Sequence, residues 1–554
     1  MMHLTWKQFE RIWYIAALCI IIASLPFSKY GQSFGQFMMA GGWIVERFNV
    51  HKLKFLLSRF SFPAKLLLLI PYTVYIALEG IGKGFLQFSR NRPALIFSSI
   101  LMIHVIGLIF TTDFDYAFKD LRTKLPLFLI PLFLSTSEAF DKKGFHRFMI
   151  LFILAIWVRS AFNFWLLQTQ QYIDIRDVSR NISHIILGIL LTIGIFTLFR
   201  FSFKKKIFPG WLRILFVFVI MWFVGYLLLS QSFTGLAITA LTMMALIPVF
   251  ILKTKKRWLK IGLLVFILIF SSGIFFYFRS MINDFYKVNP VDFSRMDQYT
   301  SRGNRYIHNI YSPQTENGNY LWIYIQWDEL RDSWNKRSNI LFDSTDKKKQ
   351  PIAYTIVRFL TSKGWHKDAD AVEKLTPAEI SAIEKGVANT VFLEEFTIRG
   401  RVYEFLHGFE TYRESGNPTG STLMQRLEFW KASLGLIREN WILGVGTGDM
   451  NDAFHEQYQK MGSKLAPDQW WRSHNQFLSI FIGFGIFGLL WFLFAIIYPA
   501  LLKKRQNDFF VFTFLIIAFL SMITEDTIES QTGVVFFSFF YSLFLFARKE
   551  TDPI

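Results

Sequence analysis

The sequence predicts an all-α integral membrane protein with about twelve transmembrane helices and one large, mostly helical loop outside the membrane. Of the 554 residues, 52% are hydrophobic and 18% are aromatic, and the mean hydropathy is +0.32, which is too apolar for a soluble chain of this length. Apolar runs of roughly 17 to 25 residues recur along the chain, which is the length that a helix needs to cross a bilayer. These runs and the basic loops between them determine the predicted topology.

The net charge of +19 lies largely in short loops between the apolar runs. The positive-inside rule places such loops in the cytoplasm, so topology accounts for the basicity and nucleic acid binding is not expected. The one cysteine, Cys19, lies within an apolar run and cannot form an intrachain disulfide. The basic loop residues are Lys204, Lys205, Lys206, Lys253, Lys255, Lys256, Arg257, Lys503, Lys504 and Arg505.

Twelve apolar runs are predicted to span the membrane, with both termini in the cytoplasm. The first run has the features of a signal peptide, but the many later spans favour a retained anchor. Residues 66–88 are also apolar, but basic residues flank both ends, so we interpret this segment as cytoplasmic and interfacial. The predicted spans are residues 13–27, 34–45, 94–110, 121–135, 148–167, 182–199, 212–229, 234–252, 259–278, 474–502, 509–522 and 534–546.

The long segment between the ninth and tenth spans is predicted to lie outside the membrane. It is too long to be a bare connection and has aromatic and apolar periodicity, so we expect a mostly helical subdomain that caps the membrane opening. Its predicted helices include residues 320–337 and 377–389, and Thr376 with Glu379 forms a capping box at the second. The predicted domains are an N-terminal transmembrane region, a periplasmic loop subdomain and a C-terminal transmembrane region, residues 1–278, 279–473 and 474–554.

Several motifs lie where this loop ends and a membrane helix begins, within residues 414–492. An R-x-x-x-W helix starts at Arg426, a G-x-G-x-G-D turn follows at Gly444 to Asp449, and H-N-Q-F-L at His474 leads into an apolar helix with G-x-x-G-L. We interpret the glycines as a helix stop and close-packing turn, because they follow a helix and not the strand that precedes a dinucleotide motif. With the KLPLFLIPLFLS segment at Lys124 to Ser135, this order of motifs resembles the O-antigen ligase family of polytopic glycosyltransferases.

The resemblance covers nearly the whole chain and implies a GT-C-like membrane enzyme. Its donor would be an undecaprenyl-diphosphate-linked glycan and its acceptor lipid A-core or another glycan, in a bacterial inner membrane, with the active site facing the periplasm among membrane lipids. The reaction would be inverting. Because the donor is already activated and no P-loop pattern is present, we expect no nucleotide. No metal cofactor is expected either, because no paired His/Asp spacing in the acidic segment near the C-terminus supports one. One departure is Phe233, which stands where ligase-like sequences often have an arginine.

His474 and Arg426 are the predicted catalytic residues. Imidazole accepts a proton near neutral pH, and the resemblance places a functional histidine at His474. The alternative is that His474 caps its helix together with Asn475. Guanidinium is suited to phosphate oxygens, and Arg426 lies in the first turns of a helix, where the dipole also favours an anion. Its alternative is a surface ion pair with a loop carboxylate.

Further residues are candidates for binding the diphosphate or for supporting roles. Arg159 lies inside an apolar run, where a charge is costly and indicates function, although it can also snorkel. Arg472 has an alternative role as an interfacial anchor beside two tryptophans. The acidic segment that contains Glu525 is expected either to orient His474 or an arginine, to bind an acceptor sugar, or to be solvated. The diphosphate candidates are Arg159, Arg180 and Arg472, and the supporting candidates are Asp526, Glu529, Asn475 and His184.

Other functions remain open at this point. An O-antigen polymerase or a protein O-oligosaccharyltransferase would share the same spans and large loop. A polysaccharide transporter or flippase would also be basic and polytopic. Transporters more often show paired half-repeats and charges near mid-membrane, whereas the polar candidates here cluster at one face beside a single large loop.

Overall fold

The computed structural model describes residues 6–170, 178–179, 182–254, 256–393 and 397–554. The described residues are mostly helical and contain one two-stranded antiparallel sheet, β1 (Thr315–Glu316) with β2 (Asn319–Tyr320). The prediction of an all-α protein is therefore confirmed. The helices are α1 Trp6–Ser24, α2 Lys29–Glu46, α3 Val50–Ser58, α4 Phe62–Ser89, α5 Arg92–Ser98, α6 Ile100–Ile106, α7 Phe114–Lys124, α8 Pro126–Thr136, α9 Lys142–Thr169, α10 His184–Ser202, α11 Gly210–Leu229, α12 Phe233–Lys253, α13 Arg257–Tyr286, α14 Trp327–Arg337, α15 Ile352–Ser362, α16 Ala369–Lys374, α17 Pro377–Glu384, α18 Ile398–Ser415, α19 Thr422–Asn440, α20 Met450–Lys460, α21 Gln476–Leu502, α22 Phe509–Thr524 and α23 Gln531–Leu545.

Seven described helices are long and apolar enough to cross a membrane, or eight if the bent pair α5 and α6 is one span. The predicted count of about twelve spans stays a prediction. Helices α8, α22 and α23 have only 11, 16 and 15 residues, which is fewer than the roughly 20 that a helix needs to cross a bilayer. One of the candidate membrane spans is α4, a single helix of 28 residues. It contains residues 66–88, for which the sequence predicts an interfacial segment. The predicted span over residues 121–135 is divided instead between α7 and α8.

The chain forms two compact units, Met1–Lys260 with Arg426–Ile554, and Ile261–Gln425. The predicted domain boundaries stay a prediction, and residues 426–473 belong to the first of these two units. In the second unit, buried apolar side chains of α14 to α17 form a core around Trp334 and Leu360. Helix α14 begins at Trp327 and not at residue 320, because the Gln326 side chain accepts a hydrogen bond from the backbone N–H of Glu329 and caps it there.

The predicted capping box at the start of α17 is confirmed. The Thr376 hydroxyl accepts a hydrogen bond from the backbone N–H of Glu379 at 3.3 Å, and the Glu379 carboxylate accepts one from the backbone N–H of Thr376 at 2.9 Å. The two contacts satisfy donors that the first helical turn leaves unpaired. This feature spans only four residues, which is why the sequence pattern alone predicts it.

The glycine turn at residues 444–449 packs directly against α21. The backbone N–H of Val445 donates to the carbonyl of Ile482, and that of Gly446 donates to the carbonyl of Gly483, at 2.8 and 2.9 Å. Helix α21 bends at Gly485, which has φ +64°. The interpretation of this turn as a close-packing element is confirmed, since a Cβ atom added at Gly444 would lie 2.3 Å from the backbone of α21.

Gly485→Ala is expected to destabilise the protein by about 2 kcal/mol or more, because it combines a left-handed backbone with a clash. A Cβ atom at Gly485 would lie 2.0 Å from the carbonyl oxygen of Ile442. The measurement is the thermal unfolding midpoint in detergent. The matched control is Gly483→Ala, whose Cβ would come no closer than 3.7 Å to another atom and which should keep or raise the midpoint. Equal midpoints for both variants would contradict the role given to Gly485.

Candidate active site

The amino-terminal end of α21 positions the predicted site. Asn475 is its N-cap, and the Asn475 side-chain oxygen accepts hydrogen bonds from the backbone N–H groups of Phe477 and Leu478 at 3.0 and 3.2 Å. His474 precedes the cap and has φ +46°, a left-handed conformation that is uncommon outside glycine. Asparagine therefore caps the helix, and the imidazole of His474 does not serve as the cap.

His474 and Arg426 contact the same carboxylate. Nδ1 of His474 lies 3.4 Å from Oε2 of Glu525, and Nη2 of Arg426 donates to Oε1 of Glu525 at 3.2 Å. Each of the three side chains is about one quarter exposed. The structure thus brings together the two predicted catalytic residues through Glu525, which lies in the acidic segment that is expected to orient His474 or an arginine.

The rings around His474 restrict its orientation. Its imidazole centroid lies 5.6 Å from the ring of Phe429 and 5.8 Å from that of Trp471, with interplanar angles of 33° and 24°. Glu525 contacts Nδ1, and among the described residues no hydrogen bond is made to Nε2. A carboxylate at Nδ1 favours the tautomer with its proton there, which leaves Nε2 as a proton acceptor.

Asp526, next to Glu525, has a different environment. Its Oδ1 accepts hydrogen bonds from the hydroxyls of Ser479 at 2.8 Å and Ser473 at 3.3 Å. Burial, and then the nearby charge of Glu529, raise the pKa of Asp526 above its ordinary value. Asp526 therefore lies beside the loop that carries His474 without contacting the imidazole directly.

A buried ionic network holds the same loop from the other side. Glu529 accepts from Nζ of Lys124 at 2.8 Å and from Nη1 of Arg472 at 3.3 Å, and Lys124 also pairs with Asp120. The Lys124 side chain is only 1% exposed, so the carboxylates are required to offset its charge. Burial alone would raise the pKa of Glu529, but Lys124 and Arg472 outweigh it and hold that pKa below its ordinary value.

Arg472, a predicted diphosphate ligand, is fully engaged in this network. Nε donates to Oδ1 of Asn451 at 2.9 Å, Nη1 donates to Glu529, and Nη2 donates to the hydroxyl of Tyr116 at 2.5 Å. These contacts connect α7, α20 and the loop before α21. These contacts account for Arg472 as a residue that fixes the loop before α21. None of them requires a phosphate ligand.

Arg159 and His184 lie elsewhere in the first unit. Arg159 is buried in α9, where its guanidinium lies 5.9 Å from the ring of Phe27 and its Nε has no partner among the described residues. His184 is the first residue of α10, which packs against α9, α11, α12 and α22. Arg180 lies outside the described residues. The structure does not place Arg159 or His184 in contact with His474.

Sequence reasoning did not single out Glu525 within the acidic segment, and it missed the role of Lys124. Glu525 lies in the predicted acidic loop, but nothing local distinguishes it from Asp526 and Glu529. The signal for Lys124 was available, because a lysine four residues after Asp120 and just before an apolar run indicates a charge that needs a partner. Within the described ranges, no group of three or more His, Cys, Asp or Glu side chains is arranged to hold a metal ion.

Residues 386–493 match a family model described as O-antigen ligase. The matched segment includes Arg426, the glycine turn, His474 and the first part of α21. The apolar helices and this match together indicate a multi-pass membrane protein. No curated protein matches the chain significantly.

Proposed function

We propose that this chain, whose match supports an O-antigen ligase family assignment, transfers a glycan from a polyprenyl-diphosphate carrier to an acceptor hydroxyl. The family supports a membrane glycosyltransferase of the ligase or polymerase type with lipid-linked glycan substrates. The proposed setting is a bacterial inner membrane with the site facing the periplasm. The observation that carries the proposal is the contact of both Arg426 and His474 with Glu525, beside the start of α21.

In the proposed reaction, Nε2 of His474 accepts the proton of the acceptor hydroxyl. The hydroxyl oxygen forms a bond to the anomeric carbon while the bond from that carbon to the diphosphate oxygen breaks. The electron pair leaves with the diphosphate, and in-line displacement inverts the anomeric centre. Glu525 holds Nδ1 and stabilises the imidazolium that forms, as a carboxylate does for a general-base histidine.

Arg426 is the proposed ligand of the leaving diphosphate. Its contact with Glu525 uses Nη2, and among the described residues no hydrogen bond is made to Nε or Nη1. Those donors suit phosphate oxygens in a fixed planar geometry. Arg159 is the proposed second cation, because it is buried with an unpaired Nε, and Arg180 is proposed from the family resemblance alone. No step of this scheme requires a metal or a nucleotide.

Transfer in reconstituted membranes tests the proposal. The purified protein is supplied with undecaprenyl-diphosphate glycan and lipid A-core, and the products are resolved by mass. We expect the glycan to appear on lipid A-core as the carrier is consumed. Glycan that lengthens on the carrier, with lipid A-core unmodified, would replace the ligase with a polymerase. A carrier that is never consumed, with any glycan or protein acceptor, would overturn the enzyme proposal, and transport would then be tested.

A further inference from the structure

A cavity of about 320 Å³ opens beside His474. Its lining contains aromatic and polar side chains, and we call these two groups the aromatic wall and the polar wall. The aromatic wall consists of Phe454, Trp470 and Trp471. A cavity of this size holds a small ligand group, and its mixed lining resembles that of binding sites for such groups, which are apolar with a few well-placed polar side chains.

The two tryptophans of the aromatic wall have different roles. Trp470 stacks on Tyr458 at 5.7 Å and 18°, and its indole nitrogen donates to the carbonyl of Leu465, so it belongs to the packed interior. Trp471 is 56% exposed, and its ring lies nearly parallel to that of His474. An accessible indole face therefore adjoins the imidazole.

The polar wall offers hydrogen bonds with little net charge. Asn451 accepts from Arg472 through Oδ1, and its amide nitrogen has no partner among the described residues. His455 lies on the same helix, α20, one turn later and also lines the cavity. The charge of Arg472 is offset by Glu529, and Asp526 adds a carboxyl group at the end near His474.

These features fit a sugar ring better than an anion. A pyranose has an apolar C–H face that packs on an indole and a rim of hydroxyl groups that exchange hydrogen bonds with amide, imidazole and carboxyl groups. An anion would find Arg472 already paired and Asp526 nearby, and both disfavour negative charge. Neither Arg426 nor Glu525 lines this cavity, so it is separate from the proposed diphosphate ligand.

We propose that this cavity is the acceptor-sugar subsite. A sugar ring of the acceptor packs on Trp471, its hydroxyls bond to Asn451 and His455, and one further hydroxyl reaches His474. The acceptor thus approaches His474 from the cavity, while the diphosphate lies on the side of Arg426. This inference rests on the proposed function, because it assigns the group that His474 would deprotonate.

The first test separates acceptor binding from catalysis. Trp471→Ala is expected to raise KM for the acceptor about tenfold, which corresponds to the loss of about 1.4 kcal/mol of contact energy, with KM for the donor within about twofold. Trp471→Phe retains an aromatic face and should restore most of the affinity. Trp441→Ala, at an indole 54% exposed and outside the cavity, is the matched control and should behave as the unmodified protein.

A fall in kcat with KM for the acceptor unchanged would mean that Trp471 only supports His474, and the subsite would be rejected. A rise in KM for the donor instead would assign the cavity to the donor sugar and overturn the acceptor assignment. Both outcomes are read from the same titrations, in which one substrate is varied while the other is saturating.

A binding measurement keeps the inference testable if no transfer occurs. Saturation-transfer NMR on the full-length protein in detergent, without donor, uses two probes: deacylated lipid A-core oligosaccharide and the free repeat-unit glycan. We expect at least one probe to bind the unmodified protein, Trp471→Phe and Trp441→Ala, and to lose its signal with Trp471→Ala. Binding that persists in Trp471→Ala, or the absence of binding by both probes, overturns the subsite whether or not the protein is a transferase.

Discussion

His474→Asn is expected to lower kcat for glycan transfer about 10³-fold, which is the range that a positioned general base contributes. Asparagine tolerates the left-handed backbone at this position, where φ is +46°, so the fold is retained. Its amide cannot accept the proton of a hydroxyl as imidazole does. His474→Ala should lose a similar amount of activity, but it adds the strain of alanine in this conformation.

The measurement for His474 is single-turnover transfer in reconstituted membranes, with the thermal midpoint recorded in parallel. The matched control is His51→Asn, at an exposed position of α3, which should transfer at the unmodified rate. Transfer by His474→Asn within about tenfold of the unmodified protein would show that His474 is not the base. Loss of the folded protein in both His474 variants would instead indicate a structural role.

Lys124→Met is expected to destabilise the protein by about 3 to 5 kcal/mol, the usual cost of breaking a buried ion pair by removing one partner. The Lys124 side chain is 1% exposed and pairs with Asp120 and Glu529. Without the ammonium group, Asp120, which is 8% exposed, is left without its cation. The loop carrying Glu529 and Arg472 loses an anchor at the same time.

Thermal and denaturant unfolding in detergent measure this effect. The matched control is Lys460→Met, because Lys460 also pairs with a carboxylate, Glu439, but its side chain is 64% exposed, and such pairs contribute little. The double variant Lys124→Met with Asp120→Asn should recover part of the stability, since it removes both charges of one pair. If Lys124→Met and Lys460→Met unfolded at the same midpoint, the network would not contribute the stability assigned to it.

The local features of the site are those that the sequence predicts well. The start of α21, its Asn475 cap and the packing role of the glycine turn each depend on residues close together in the chain. The sequence did not predict the contacts of Arg472 or the residue at which α14 begins. In both cases a partner distant in sequence or a competing cap decided the outcome, as Glu529 does for Arg472 and Gln326 does for α14.

By itself the sequence determined that this protein is helical and membrane-embedded, because apolar length and basic loops act through the bilayer and not through specific contacts. It also predicted His474 and Arg426 as catalytic residues, and that role stays a prediction. Only the tertiary structure decided which charges meet: Arg426 and Glu525 are 99 residues apart, and Lys124 and Glu529 are 405 apart. A charge pair forms where packing brings two segments within a few ångströms, and no local pattern specifies that distance.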